Sequence, residues 1–159
     1  MTTGSDIAIA LRAAYLALHR RSEARFAPYD VTADQFVLLA TLARGGQALT
    51  QRELARRMSS DPSTVRAMLV LLEKRRLVQR GSHPSDARAR TVALTAGGEQ
   101  AFQQLWTAGE PVREQLLAAL RPDEAATLVG LLARVADALN ADCTPASEFT
   151  SLPPPEDET

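Results

Sequence analysis

Two short runs in this chain carry side chains suited to reading an anionic, base-bearing surface. Ser60, Ser63, Thr64, Arg66 and Ala67 form one, with Arg52 just before it, and Arg88 and Arg90 form the other. An Arg can fork onto the O6 and N7 of guanine, and a Thr offers a hydroxyl beside a methyl that suits thymine. Ser hydroxyls at a helix start suit phosphate. An Arg at a hairpin tip suits a narrow minor groove, where negative potential concentrates. The plainer alternative for each is a solvated surface group, and charge patterning favours the sharper reading. From position 44 to 90 eleven basic residues face four acids, a local +7, while the remaining seven bases and fifteen acids leave −8 elsewhere. A basic middle between acidic ends implies that only the middle meets a polyanion. Arg52, Arg56 and Arg57 fit phosphate contact and a solvated helix face equally well. Arg75, Arg76 and Arg80 read as structural or as general electrostatics rather than base readers, and Asp86 as structural, expected to orient the hairpin by pairing with Arg88 or Arg90.

Other chemistries lack their residues. His19, His83 and Cys143 are too scattered to form a metal set, and His83 reads as a surface residue at the hairpin tip. No phosphate-cradling Gly loop, nucleophile elbow or Cys–His pair is present, so neither an enzyme nor a cofactor is expected. A single cysteine makes no internal disulfide, which fits a cytoplasmic protein, and its place near the chain end argues against a redox switch. Residues 7–18 are apolar at eleven of twelve positions, broken only by Arg12. That run is too short to cross a bilayer, and Asp6 precedes it where a signal peptide carries positive charge. It reads as a helix buried on more than one side, in a protein without a membrane partner.

The elements that must position these groups are mostly helical. A first helix is expected from Ser5 or Asp6 to Phe26. A second opens at Thr32 with Gln35 three residues on, carries Phe36, Leu39, Ala40 and Ala43 on one face, and stops at Gly45-Gly46. Thr50 and Glu53 make a second capping box, opening a helix through Met58. Asp61-Pro62 starts the next, to about Arg75, with Val65, Met68, Leu69 and Leu72 as its buried stripe. Residues 77–80 and 91–94 read as strands around a polar turn, 82–89. Thr95 caps a fifth helix, which Pro111 should kink or interrupt. Pro122 starts a sixth, to Asp142, with a stripe of Leu128, Leu131, Leu132, Val135 and Leu139. The Pro- and acid-rich tail, 143–159, is expected to be disordered.

Helix, short Ser59-Ser60 turn, helix, hairpin is the winged helix-turn-helix order. The chain resembles the multiple-antibiotic-resistance regulator (MarR) family in four ordered motifs. These are Leu49-Thr50-Gln51-Arg52-Glu53-Leu54-Ala55, then Leu72-Glu73-Lys74-Arg75-Arg76-Leu77-Val78-Gln79-Arg80, then Asp86-Ala87-Arg88, and Leu94-Thr95-Ala96-Gly97-Gly98. The resemblance implies a mainly α fold with a small β-hairpin wing. A winged helix-turn-helix DNA-binding domain, residues 31–95, would join a helical dimerisation region, 1–30 and 96–142. It implies a homodimer on double-stranded DNA, at a pseudo-palindromic operator, released by a small lipophilic or phenolic anion. The family's minor-groove arginine maps onto Arg88, and its recognition-helix contacts map onto Ser63, Thr64 and Arg66. The family usually has Gly where this chain has Arg76, a strained choice if that backbone needs positive φ.

Arg12, Tyr15, His19, Phe36 and Trp106 are the candidates for effector contact, with packing or dimer contact as the plainer reading of each. The leading expectation is therefore a dimeric transcriptional regulator, most simply a repressor. The alternative is a winged helix used for protein–protein interaction, which would not need basic residues concentrated around a hairpin.

Overall fold

The structure, a computed structural model, describes residues 1–141; Asp142, Cys143 and the expected tail lie outside them. Seven α-helices and three strands run in the order α1 Gly4–Phe26, α2 Ala33–Gly45, β1 Leu49–Thr50, α3 Gln51–Arg57, α4 Pro62–Lys74, β2 Val78–His83, β3 Asp86–Leu94, α5 Ala96–Ala108, α6 Glu110–Ala118 and α7 Pro122–Leu139. A single 3-10 turn, Ala27–Tyr29, carries the chain from α1 toward α2.

The helix starts form where side chains satisfy free backbone donors. Thr32 and Gln35 make a reciprocal box at α2. Thr3 and Asp6 make another at α1, starting it one to two residues earlier than expected. At α3 only half the expected box forms. Thr50 accepts from the Glu53 amide, but the Glu53 carboxylate turns to Arg56 and Arg57 instead. The long fifth helix is interrupted, as Pro111 required: α5 stops at Gly109 and α6 follows at once.

The wing differs from the expected hairpin. Leu49 and Thr50 pair with Val92 and Thr91, giving a three-stranded antiparallel sheet in the order β1-β3-β2. The strands also reach further into the polar segment, so the turn shrinks to Pro84-Ser85, with a register shift at Ser82/His83.

One core fills the middle of the chain. Leu38, Leu39, Leu54, Leu69, Leu72, Val65, Val78 and Val92 are sealed together, with Phe26 and Leu105 closing it from α1 and α5. The expected stripe on α4 is buried throughout. The outer helices behave differently. Ile7, Ile9, Tyr15 and Leu18 on α1 are exposed, and so are Leu128, Leu131, Leu132 and Leu139 on α7. The expectation that residues 7–18 are buried on more than one side is not met within one chain. Among the described residues nothing covers their apolar faces. No helix among the described residues is long and apolar enough to cross a membrane.

Candidate nucleic-acid interface

The α3–α4 pair is set by its turn. Ser59 takes a left-handed φ of 49° while its amide donates to the Arg56 carbonyl and that of Ser60 to the Ala55 carbonyl. These bonds close the end of α3 and aim the chain at the start of α4. Asp61 then caps α4, accepting from the amides of Ser63 (2.8 Å) and Thr64 (3.3 Å). Hydrogen bonds from Ser63 and Thr64 hold the Asp61 carboxyl below the usual carboxylate range.

With Val65, Met68, Leu69 and Leu72 buried, the opposite face of α4 points away from the core. Ser63, Ala67, Val70 and Lys74 run down its centre at spacings of four, three and four, with Thr64 and Arg66 on its flanks. All six are exposed. Arg66 makes no polar side-chain contact among the described residues, so its guanidinium is available. The Ser63 hydroxyl, in contrast, donates to Asp61, and that of Ser60 to the Met58 carbonyl at 3.3 Å. Both expected phosphate donors are thus already engaged within the turn.

The arginines of α3 separate into two kinds. Arg52 is exposed and uncommitted among the described residues, whereas Arg56 and Arg57 both donate to Glu53, at 2.9 and 2.8 Å. Those hydrogen bonds pull the Glu53 carboxyl down to about 2. Arg80 pairs with Glu73 at 2.6 Å, and Arg75 donates to the carbonyls of Tyr29 and Asp30. Both are structural, as expected.

On the wing, Arg88 and Arg90 are exposed and free of polar side-chain partners among the described residues. The expected ion pair to Asp86 does not form. Asp86 instead accepts from the Arg88 amide at 2.9 Å, orienting the strand through its backbone. His83 accepts from the Ser85 amide at 3.1 Å and so shapes the tip.

The wing's base is fixed at Arg76, whose φ is 58°. The positive φ that Gly would relieve is real. Amides of Arg76 and Leu77 donate to the carbonyls of Glu73 (2.9 Å) and Leu72 (3.0 Å), a complete Schellman closure of α4 with Arg in the glycine position. Thr95 locks the same corner: its hydroxyl donates to the Arg76 carbonyl at 2.6 Å, and its amide to the Leu77 carbonyl at 3.1 Å. That hydroxyl also caps α5 by accepting from the Gly98 amide. A Cβ at Gly98 would stand 1.9 Å from the Leu77 carbonyl oxygen, which explains why glycine occupies it.

The five effector candidates fall into separate places. Tyr15 and His19 lie together on α1, ring centroids 5.6 Å apart, with Glu23 3.7 Å from His19. Arg12 is exposed one turn before them. Phe36 and Trp106 belong to an aromatic row, Phe26–Phe36–Phe102–Trp106, with centroid steps of 4.6, 6.1 and 5.9 Å. Sequence reasoning missed Arg113, which ends this row 4.0 Å over the Trp106 ring and donates to the Trp106 carbonyl. Burial lowers its pKa from the ordinary guanidinium value. Val70 and Lys74 were missed too, although counting fours and threes from Ser63 finds both. Among the described residues no three His, Cys, Asp or Glu side chains are grouped to hold a metal.

This assembly, a capped recognition helix beside a pinned three-stranded wing, defines a winged helix-turn-helix protein. Residues 29–89 match the sequence pattern described as MarR family. The multiple antibiotic resistance protein MarR of Escherichia coli (strain K12) is 35% identical over 109 residues, 68% of this chain and 75% of MarR. The HTH-type transcriptional repressor MdtR of Bacillus subtilis (strain 168) is 28% identical over 138 residues, 87% of this chain and 88% of MdtR. A crystal structure of a mutant E. coli MarR complexed with operator DNA superimposes with a TM-score of 0.73 at 30% identity, covering 81% of this chain and 92% of that one. BpsR of Bordetella bronchiseptica, whose DNA binding is regulated by 6-hydroxynicotinic acid, gives 0.72 at 26% identity, covering 82% and 98%. The chain belongs to the MarR family. It is accordingly a transcriptional regulator and not an enzyme.

Proposed function

We propose that two copies of this chain bind a pseudo-palindromic operator and repress transcription, and that a small aromatic anion releases them. The observation that carries the reading is the outward face of α4, capped, exposed and flanked by arginines at positions 52, 66, 88 and 90 that are uncommitted among the described residues. Residues 31–95 form the DNA-binding unit. Thr64, Arg66 and Ala67 address base edges in the major groove, with Arg52 toward phosphate; Ser60 and Ser63 would join it by releasing the Met58 carbonyl and the Asp61 carboxylate that their hydroxyls now bond. Arg88 enters the adjacent minor groove, and Arg90 supports it. Residues 1–30 and the helices from 96 onward form the dimerisation region. The uncovered apolar faces of α1 and α7 support it, since patches of this kind mark an interface.

A two-fold dimer meets successive major grooves only if its recognition helices stand about one DNA turn, roughly 34 Å, apart. An effector between the helical base and the winged unit would change that spacing, weakening binding with a coupling of about 1–3 kcal/mol. The aromatic row ending at Arg113 supports a flat anionic effector, a class to which the hydroxynicotinic acid named for BpsR belongs. Phe36 and Trp106 would take part directly, while Arg12, Tyr15 and His19 lie on α1.

The test is fluorescence anisotropy on DNA from the region upstream of the protein's own gene, against scrambled DNA, at two salt concentrations. Tight, salt-sensitive and selective binding is expected. Absence of binding to either duplex at low salt refutes the reading.

A further inference from the structure

Val70 is the largest apolar side chain on the centre line of a face whose other members are the hydroxyls of Ser63 and Thr64, the cations Arg66 and Lys74, and the small Ala67. It is 42% exposed, on the same line as Ser63, Ala67 and Lys74. Single exposed aliphatics are common on protein surfaces and need no explanation. The placement of this one differs. It stands seven residues beyond Ser63, about 10 Å along the helix axis, within the span a major groove about 12 Å wide presents to an inserted helix. Every other residue on that line is exposed as well, so the core does not call for an aliphatic there. Its neighbour Leu71, 52% exposed, extends the apolar surface toward the Thr64 flank.

In the major groove the thymine 5-methyl is the apolar group a base edge offers, and apolar side chains meet it. Val suits that task because a β-branched residue in a helix holds one χ1 rotamer, so its methyls are placed without loss of side-chain freedom. We propose that Val70, with Ala67 one turn before it, reads thymine methyls and sets the protein's preference for thymine in each operator half-site. The inference rests on the DNA-binding reading of α4. Arg66 and Lys74 would hold the helix in the groove on either side of Val70, while the valine supplies discrimination rather than affinity for phosphate.

The test uses the duplex that wild-type protein selects from a random-sequence library, made once with thymine and once with uracil throughout. The two differ only by the 5-methyl groups. Withdrawing one methyl from water is worth about fourfold in binding, so two protomers should favour thymine by about fifteenfold. Val70→Ser, at an exposed site, should keep the wild-type unfolding temperature and lose most of the thymine preference, Ala67 and Thr64 accounting for any remainder. An undiminished thymine preference in Val70→Ser overturns the inference while leaving DNA binding intact, and so does a selected half-site without thymine. A library from which no sequence is enriched overturns the DNA-binding reading together with it.

Discussion

Replacing Arg76 by glycine isolates the backbone of the wing's base. Arg76 sits at φ 58° with its side chain exposed and without a polar partner among the described residues. The left-handed region costs a residue with a Cβ about 1–2 kcal/mol. Glycine removes that cost but frees the unfolded chain, which returns about 0.4–1 kcal/mol. The hydrogen bonds at the corner use the Arg76 and Leu77 amides and the Arg76 carbonyl, all main-chain atoms that glycine retains. Strain relief therefore wins, and Arg76→Gly should stabilise the protein by about 0.5–1 kcal/mol. For a chain of this size that is a rise in unfolding temperature of about 1–4 °C, read by calorimetry at fixed protomer concentration. Arg76→Ala is the decisive control, because it removes the charge beside Arg75 but keeps the Cβ. A rise with alanine equal to that with glycine would show that charge repulsion, not φ, is the cause. A fall with glycine would refute the strain argument outright.

Three further outcomes follow from the geometry. Arg88→Ala should weaken operator binding by about 1–3 kcal/mol and lower the salt slope by about one per protomer, read by anisotropy titrations; an unchanged slope removes Arg88 from the DNA surface. Gly98→Ala forces a Cβ into the Leu77 carbonyl 1.9 Å away and should cost about 3 kcal/mol in denaturant unfolding, an argument that a cost under about 0.5 kcal/mol defeats. Glu53, pulled from 4.5 to about 2 by Arg56 and Arg57, contributes stability that is full above pH 4.5 and lost as pH falls through about 2. The stability gap between wild type and Glu53→Gln should accordingly be constant above pH 5 and close across that window; a gap that persists to pH 2 contradicts the pairing.

The helix starts were legible because capping is local: Thr32, Asp61 and Thr95 act within three residues of themselves. The α4 stripe was legible because its cover lies in the same chain. On α1 and α7 the same kind of periodicity identifies an apolar face but carries no information about what covers it. The pattern on α1 implies burial, yet Ile9 is 69% exposed. Polarity makes the wing's turn look longer than it is: Ser82, His83, Asp86 and Arg88 are polar, whereas strand pairing depends on the backbone and is indifferent to solvated side chains. β1 is two residues long and has no period to detect. Arg113 reads as a solvated charge until the break at Gly109 turns it back over Trp106. Candidate DNA contacts were legible by type, but not which hydroxyls were already engaged: Ser60 and Ser63 bond within the turn, and Thr64 is exposed.

Thr95 joins three bodies within a few ångströms. Its hydroxyl and amide hold the last carbonyls before the wing, and the same residue begins α5. On the proposed reading, a torque arriving along α5 would be delivered to the recognition helix and the wing at one shared pivot, and the two would turn as a single lever. Their angle to each other would be preserved while their phase against the DNA repeat shifted. With 10–10.5 base pairs per turn, a rotation of about 35° advances the pair by one whole base pair, enough to put both readers out of step at once.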